Sequence, residues 1–424
     1  MLVFVVFMVG RLPHLACLAF MAVLLGMARQ GHAQLEYRLS AGSSIGISDT
    51  SGPSTGATAT PETDGFVMAR AGAQLDYTGR LSRERAAYAF AAVWWVRGTQ
   101  STSLTHMLSL SSVIQSSAAT QVTLGGGAML SQLSLADTVA GSDPLTVGAR
   151  PAGTREFAAF EAHEAFAWQV NGPWRADQLL DGSLYRPIGD SPGSGQNESL
   201  TLGLGIARTW LRDHAGLRTR VGVIEIGEVA PAGLAVVPGG DSEFAEALLS
   251  WKHDWTPNWT SEIGAGALVL RALGSDTALT PAGSATLAYR YASQELEFRA
   301  ARTVEPNVYV GAALERDVVS LRAGFPIGRW EAFRLEAMAD LEHDSGAGTP
   351  GGPTSTANIL YLQAGARYQP GSMFILSLQY MFRDQFSASA APGTSPFSAF
   401  RRQTAMFTIE VHYPPDVPTA PKSP

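Results

Sequence analysis

The chemistry open to this chain rests on charged side chains that recur at every second position of extended segments. In that phase stand Glu36, Arg38, Arg70, Asp76, Glu161, Arg218, Arg220, Glu262, Arg290, Glu297, Arg299, Arg322, Arg334, Glu336, Asp340, Arg367, Arg383 and Glu410, with Gly, Ala, Ser and Thr between them. Cations and carboxylates mixed on one face can brace neighbouring strands as ion pairs, or set the field along a water-filled passage. Other constellations fall away. Residues 42–46, Gly-Ser-Ser-Ile-Gly, have nucleophile-elbow spacing, but that motif needs a strand-to-helix turn, and here a strand alternation runs straight through it. Gly189-Asp190-Ser191 and Gly240-Asp241-Ser242 fall in loops and are ordinary turn chemistry. His106, His163, His214, His253, His343 and His412 show no HExxH or other ligand spacing. The expectation is a non-enzyme with no catalytic, cofactor-binding or metal residue, whose charged face lines a pore.

A face of this kind must be held by strands, and the segment 360–382 shows how. Leu360, Leu362, Ala364, Ala366 and Tyr368 alternate with Tyr361, Gln363, Gly365 and Arg367; after Gln369-Pro370-Gly371, Phe374, Leu376, Leu378, Tyr380 and Phe382 alternate with Ile375, Ser377, Gln379 and Met381. That is a β-hairpin with one apolar face. Roughly ten alternating residues per arm let a tilted strand cross the ~25 Å apolar band of an outer membrane. The same alternation predicts eighteen strands, near 35–47, 65–79, 84–97, 102–116, 119–136, 155–170, 174–186, 198–212, 216–228, 243–255, 258–272, 283–292, 295–303, 316–327, 330–343, 357–369, 372–385 and 401–413. Connections alternate between short turns (115–119, 171–173, 213–216, 256–258, 292–294, 328–329, 369–371) and mostly longer loops (137–154, 187–197, 229–242, 344–356, 385–400), with 98–101 the short exception on the loop side. An even strand count with short turns on one rim and loops on the other predicts an all-β, transmembrane, antiparallel up-and-down barrel, turns periplasmic and loops extracellular.

Tryptophan adds to this. Trp168, Trp174, Trp210, Trp251, Trp255, Trp259 and Trp330 fall beside short turns, and Trp94 and Trp95 near the other rim, as interfacial girdles require. Eighteen tilted strands close to a backbone diameter of roughly 35 Å. Small side chains cannot fill such a bore, and only Gln34 precedes the first strand, so an unplugged, wet and weakly selective lumen is expected. Three residues fit badly: Glu164, Arg208 and Glu225 sit in the apolar phase, where a midplane charge facing lipid is costly. The strand near 84–97 is apolar on both faces, which leaves its register open.

Residues 1–33 read as a secretory signal: Arg11, an apolar core over 15–27, and small residues at Gly31 and Ala33 before a cleavage that would leave Gln34 first. Met8 is an alternative start to Met1, because apolar residues before Arg11 are out of place in a signal. The one cysteine, Cys17, lies inside it. The barrel would occupy 34–413, and the Pro-rich 414–424 a periplasmic tail, since Pro cannot continue a ladder. A net charge of -7 without a basic patch argues against nucleic acid. The partners expected are outer-membrane lipids and the barrel-assembly machinery, which commonly reads an aromatic near the C-terminus; Tyr413 would serve only if the tail is tolerated behind it.

In its strand count, unplugged polar lumen and short loops, and in the phrasing of 105–131 and 305–327, the chain resembles the outer-membrane barrels that serve as exit ports in Wzx/Wzy-type exopolysaccharide secretion. The resemblance covers the whole barrel without a sharp motif and carries over no functional residue. It implies a translocation pore for an exported polysaccharide that completes a periplasmic co-export machine. General porins are the other comparison, from which the chain departs in having no long constriction loop and no terminal aromatic. The expectation is an outer-membrane channel with polymer export as its use; the alternatives are a passive porin for small hydrophilic solutes, a structural or adhesive surface barrel, and a lipid-modifying enzyme at the rim.

Overall fold

The computed structural model describes residues 34–51, 62–97, 103–132, 156–188, 196–227, 240–271, 277–307, 312–327, 330–346, 355–387 and 400–414. The signal segment 1–33 and the tail beyond Pro414 lie outside them. Eighteen strands are present: β1 (Gln34–Ser51), β2 (Glu62–Thr78), β3 (Ser82–Trp95), β4 (Ser103–Gln115), β5 (Thr120–Gln132), β6 (Glu156–Asn171), β7 (Trp174–Pro187), β8 (Asn197–Trp210) and β9 (Asp213–Ile226) form the first half. The second half is β10 (Gly240–Asp254), β11 (Trp259–Arg271), β12 (Ala278–Tyr291), β13 (Gln294–Asn307), β14 (Ala312–Ile327), β15 (Trp330–Gly346), β16 (Ser355–Tyr368), β17 (Phe374–Ser387) and β18 (Phe400–Tyr413). Each strand pairs antiparallel with the next, and β18 pairs with β1 from Leu39↔Tyr413 to Ser51↔Arg401, so the sheet closes on itself. Closure removes the two free edges an open sheet would present.

The outward phase is apolar. Leu35, Tyr37, Ile45, Leu204, Leu249, Leu279, Val319, Leu341 and Leu378 all stand exposed on it. An apolar outer belt around a wall whose backbone groups bond within the ring is the arrangement a hydrocarbon solvent demands, so this is an integral barrel of the outer-membrane type. Aromatic residues gather toward the short-turn end: Trp259 lies 4.8 Å from Tyr289, Tyr37 6.4 Å from Tyr413 and Phe333 6.3 Å from Tyr368.

Register settles the awkward positions. Arg208 is outward beside the short turns, its guanidinium 5.6 Å from the Trp174 ring and 4.9 Å from that of Trp210; there a cation rests on aromatic faces at the interface. Glu225 sits near the opposite rim, across from Glu198 and Asp241. Glu164 remains outward at mid-strand between Leu124 and Leu180. The strand with two apolar faces is fixed by pairing Phe66 with Trp95 and Val67 with Trp94. Trp94 therefore belongs to the outer belt, but Trp95 does not: it turns inward and packs 5.5 Å from Phe66. The Trp330 side chain lies outside the described ones.

Candidate functional site

Following cross-strand partners round the ring, from Glu36 opposite Asp76 through Glu297 opposite Arg322 to Arg334 opposite Arg367, every charged residue predicted for the lumen falls on one face. That face is concave, because side chains of strands that are not neighbours meet on it: Arg70 of β2 reaches the Met406 sulfur of β18 at 3.8 Å, and Arg220 of β9 donates to the Val304 carbonyl of β13.

The two halves of this lumen differ. Toward the short turns the charges stand in solvent, with side-chain exposures of 65% at Arg218, 73% at Arg290 and 47% at Glu336. Several are paired: Arg290 with Glu297 at 3.3 Å, Arg334 with Glu336 at 3.1 Å and with Glu295, Arg218 with Glu262 at 3.7 Å, and Asp76 with Arg85 at 2.6 Å. Glu410 accepts from His412 at 2.8 Å and Glu36 from Gln34 at 2.6 Å. Pairs so exposed contribute about 0–1 kcal/mol each. Their effect is on the local potential more than on stability. Arg290, Glu297, Arg299, Arg322, Arg334 and Glu336 do share the inner face of β12–β15.

Toward the longer connections the lumen is packed. Phe66, Met68, Val93 and Met406 form one buried apolar cluster with Trp95 and Met381 against it, and Phe157 stacks on Tyr185 at 5.5 Å. A third cluster joins Ile224, Phe244, Leu248, Leu268, Leu270, Ala282 and Val304. This corrects the expectation of a uniformly polar bore lined by small residues. The large side chains had been hidden where both phases of a strand are apolar, as in β3, or where Leu alternates with Val and Ala, as in β11.

The third cluster arises from the course of the wall. The β12–β13 ladder runs from Tyr291↔Gln294 to Gly283↔Arg302 and stops, although β12 begins at Ala278 and β13 ends at Asn307. Past that point β13 and β14 lean inward, and their backbones come within 8 Å of β9 and β10. Val304, though in the outward phase of β13, is thereby fully buried against inward residues of β9–β12. Arg220 clasps the contact: it bonds the Val304 carbonyl and Glu246 (3.3 Å) and lies 5.6 Å from the Phe244 ring. Gly222 makes the seat, since a Cβ there would stand 2.4 Å from Phe244. Among the described residues, it is wall strands that narrow this barrel.

Beside the narrowing Arg316 is shared by Glu342 at 2.7 Å, Glu305 at 3.1 Å and Asp344 at 3.8 Å, all but Glu305 nearly solvent-free. Arg383 and Asp340 are likewise buried, with Arg383 donating to Gln385 at 3.3 Å. For Arg38, Glu161, Arg299 and Arg367 the face is fixed. The sequence reading missed Glu246, Arg85, Glu295 and the Arg316 group. Glu342 and Asp344 were legible, because they extend the alternation of Glu336 and Asp340 by two more steps. Ser44 of the elbow-like motif sits mid-strand and joins the Thr408 hydroxyl at 2.8 Å, one of several hydroxyl pairs that tie neighbouring strands.

No protein-family model and no curated relative matches this chain. Among solved structures it is similar to Pseudomonas aeruginosa OccK2 (OpdF), crystallised with glucuronate, at 10% identity and a TM-score of 0.47 over 89% of this chain and 98% of that one. Acinetobacter baumannii OccAB3 gives 10% and 0.45 over 88% and 99%. The alcaligin outer-membrane receptor FauA of Bordetella pertussis gives 11% and 0.42 over 89% and 76%.

Proposed function

We propose that the barrel is a passive diffusion channel for small hydrophilic solutes. The observation that carries this reading is the sequence of environments along the lumen: a charged, solvated half at the short-turn end leads into a half narrowed by the inward lean of β13 and β14. A solute would shed little water among exposed, mutually paired arginines and carboxylates, then be sorted by size at the Arg220–Val304 contact. Polymer export, the use favoured from sequence, assumed a wide open bore. The apolar clusters and the Arg220 clasp occupy part of the section a hydrated chain would need.

Liposome swelling with sugars of graded size tests the reading. Monosaccharides should enter quickly and oligosaccharides slowly. Equal entry of long oligosaccharides would return the argument to export, and absence of both swelling and bilayer conductance would point to a structural barrel.

A further inference from the structure

The place where β13 leaves β12 is also a seam in the wall without ladder bonds, closed by side chains alone: Ala282 and Val304 are buried in one cluster, and the Thr280 hydroxyl donates to Glu315 of β14 at 3.4 Å. Beyond it the two strands no longer pair with each other, yet each is held on its far side. Residues of β12 pair with β11 from Gly266↔Ala282 to Leu270↔Ala278, and those of β13 with β14 from Thr303↔Arg316 to Asn307↔Ala312. It is therefore a slit with firm lips and not a frayed end. Pro281 on one lip has no N–H to offer a ladder.

Unpaired backbone cannot face hydrocarbon, so the level of the slit matters. On the outer surface at its foot, four cross-strand neighbours are polar: Arg302, Asp317, His343 and Asn358. Arg302 holds Asp317 through two bonds of 2.5 and 2.6 Å, and the His343 ring meets Asn358 at 2.8 Å. Such a row belongs at headgroup height, where the backbone of the lips is clear of the hydrocarbon. Beside the row is a cleft of about 540 Å³ whose outward-phase lining is Gly283, Ala285, Ala300, Val319 and Leu341. On the lumen side of the lips lie Leu268, Leu270, Ala282 and Val304. An apolar path thus runs from the outer cleft, past the slit, to the lumen cluster, with polar groups at its outer mouth.

We propose that this seam is a lateral port by which a single-chain amphiphile passes between the lumen and the outer leaflet, its chain in the cleft and its head on the Arg302–Asn358 row. The cleft lies in the size range of sites that take one small ligand, which excludes a multi-chain glycolipid. The inference needs only a membrane-embedded barrel and goes beyond the proposed diffusion of hydrophilic solutes.

Paired cysteines in a Cys17→Ala background test it. Ala282→Cys with Thr303→Cys stand where the next ladder pair would be; Ser284→Cys with Ala301→Cys are true partners. A disulfide needs Cα atoms about 4.4–6.8 Å apart. Oxidation should link the Ser284/Ala301 pair readily and the Ala282/Thr303 pair slowly or not at all; equal linking would mean a closed wall and overturn the proposal. In proteoliposomes a fluorescent lysophospholipid should cross faster than in protein-free vesicles. A short bis-maleimide across the Ala282/Thr303 pair should return it to the protein-free rate while monosaccharide entry persists. Lysophospholipid transfer unaffected by the linker, or no faster than without protein, sinks the port; loss of sugar entry alone in the unmodified barrel would instead sink the diffusion reading.

Discussion

If Arg220 clasps the inward lean of β13, removing it should loosen the narrowing in a way that its charge alone does not explain. The bond from a guanidinium to the Val304 carbonyl contributes about 1.5–3 kcal/mol, and the contact with Phe244 about 0.5–1 kcal/mol. Burying Val304 in the apolar cluster adds about 1.5–3 kcal/mol. Polar clasp and apolar seat are thus of similar size. Arg220→Gln should remove about 2–4 kcal/mol from the leaning state, and at 1.4 kcal/mol per factor of ten its advantage over a withdrawn hairpin falls by about one to three decades. The single variant should flicker between conductance levels in planar bilayers, and the double variant Arg220→Gln/Val304→Ser should rest at the higher level. Arg220→Lys separates clasp from field, since it keeps the charge but loses the planar fork; it should flicker as well. A double variant that conducts like the parent would refute the clasp. So would an Arg220→Gln effect confined to ion selectivity and fully restored by Lys.

Other expectations follow from the same geometry. Neutralising Arg290, Arg299, Arg322 and Arg334 to Gln frees Glu297, Glu295 and Glu336 from their partners, so reversal potentials in a salt gradient should shift toward cations with little change in unfolding midpoint. Arg316→Met leaves three carboxylates around an absent cation and should cost about 3–5 kcal/mol, read as loss of the heat-modifiable band at lower denaturant; adding Glu342→Leu should recover part of it. Glu164→Leu, which removes an outward mid-strand charge, should stabilise the barrel by up to about 2 kcal/mol in lipid, measured by urea unfolding in vesicles. Deleting 414–424 should leave insertion intact, judged by protease resistance and gel mobility.

Much of the wall was legible because the signal for it is local. A period of two within each strand, together with the contrast between turns such as 369–371 and longer connections, yields the strand count, the hairpin order and the inward set from Glu36 to Glu410. What the alternation could not carry is the shape of the ring. Phe244 and Val304 meet across four strands, and nothing in either neighbourhood announces it. Even so, the expected strands 283–292 and 295–303 end within a residue or so of Gly283 and Arg302, where the true ladder ends. Their overhangs, Ala278–Ala282 and Thr303–Asn307, escaped notice because they do not alternate as a wall strand does. Trp95 was misjudged for a related reason: beside Trp94, on a strand apolar in both phases, only the partner Phe66 decides which ring turns inward.

The bond between the first and last strands sets the order in which this molecule can come into being. Ser44 and Thr408 are 364 residues apart in the chain, and bringing such distant ends together costs about 3 kcal/mol more entropy than closing a fifteen-residue hairpin. Seventeen of the joins can form as the chain lengthens, each between strands already adjacent in sequence. The eighteenth waits for Phe400–Tyr413. Until then β1 offers a bare row of donors and acceptors along one side, and a chain cut before 400 offers it permanently, together with the matching side of β17. Loss of the final strand therefore does more than shorten the wall: it converts a sealed ring into an open ribbon whose two margins seek each other or a neighbour's.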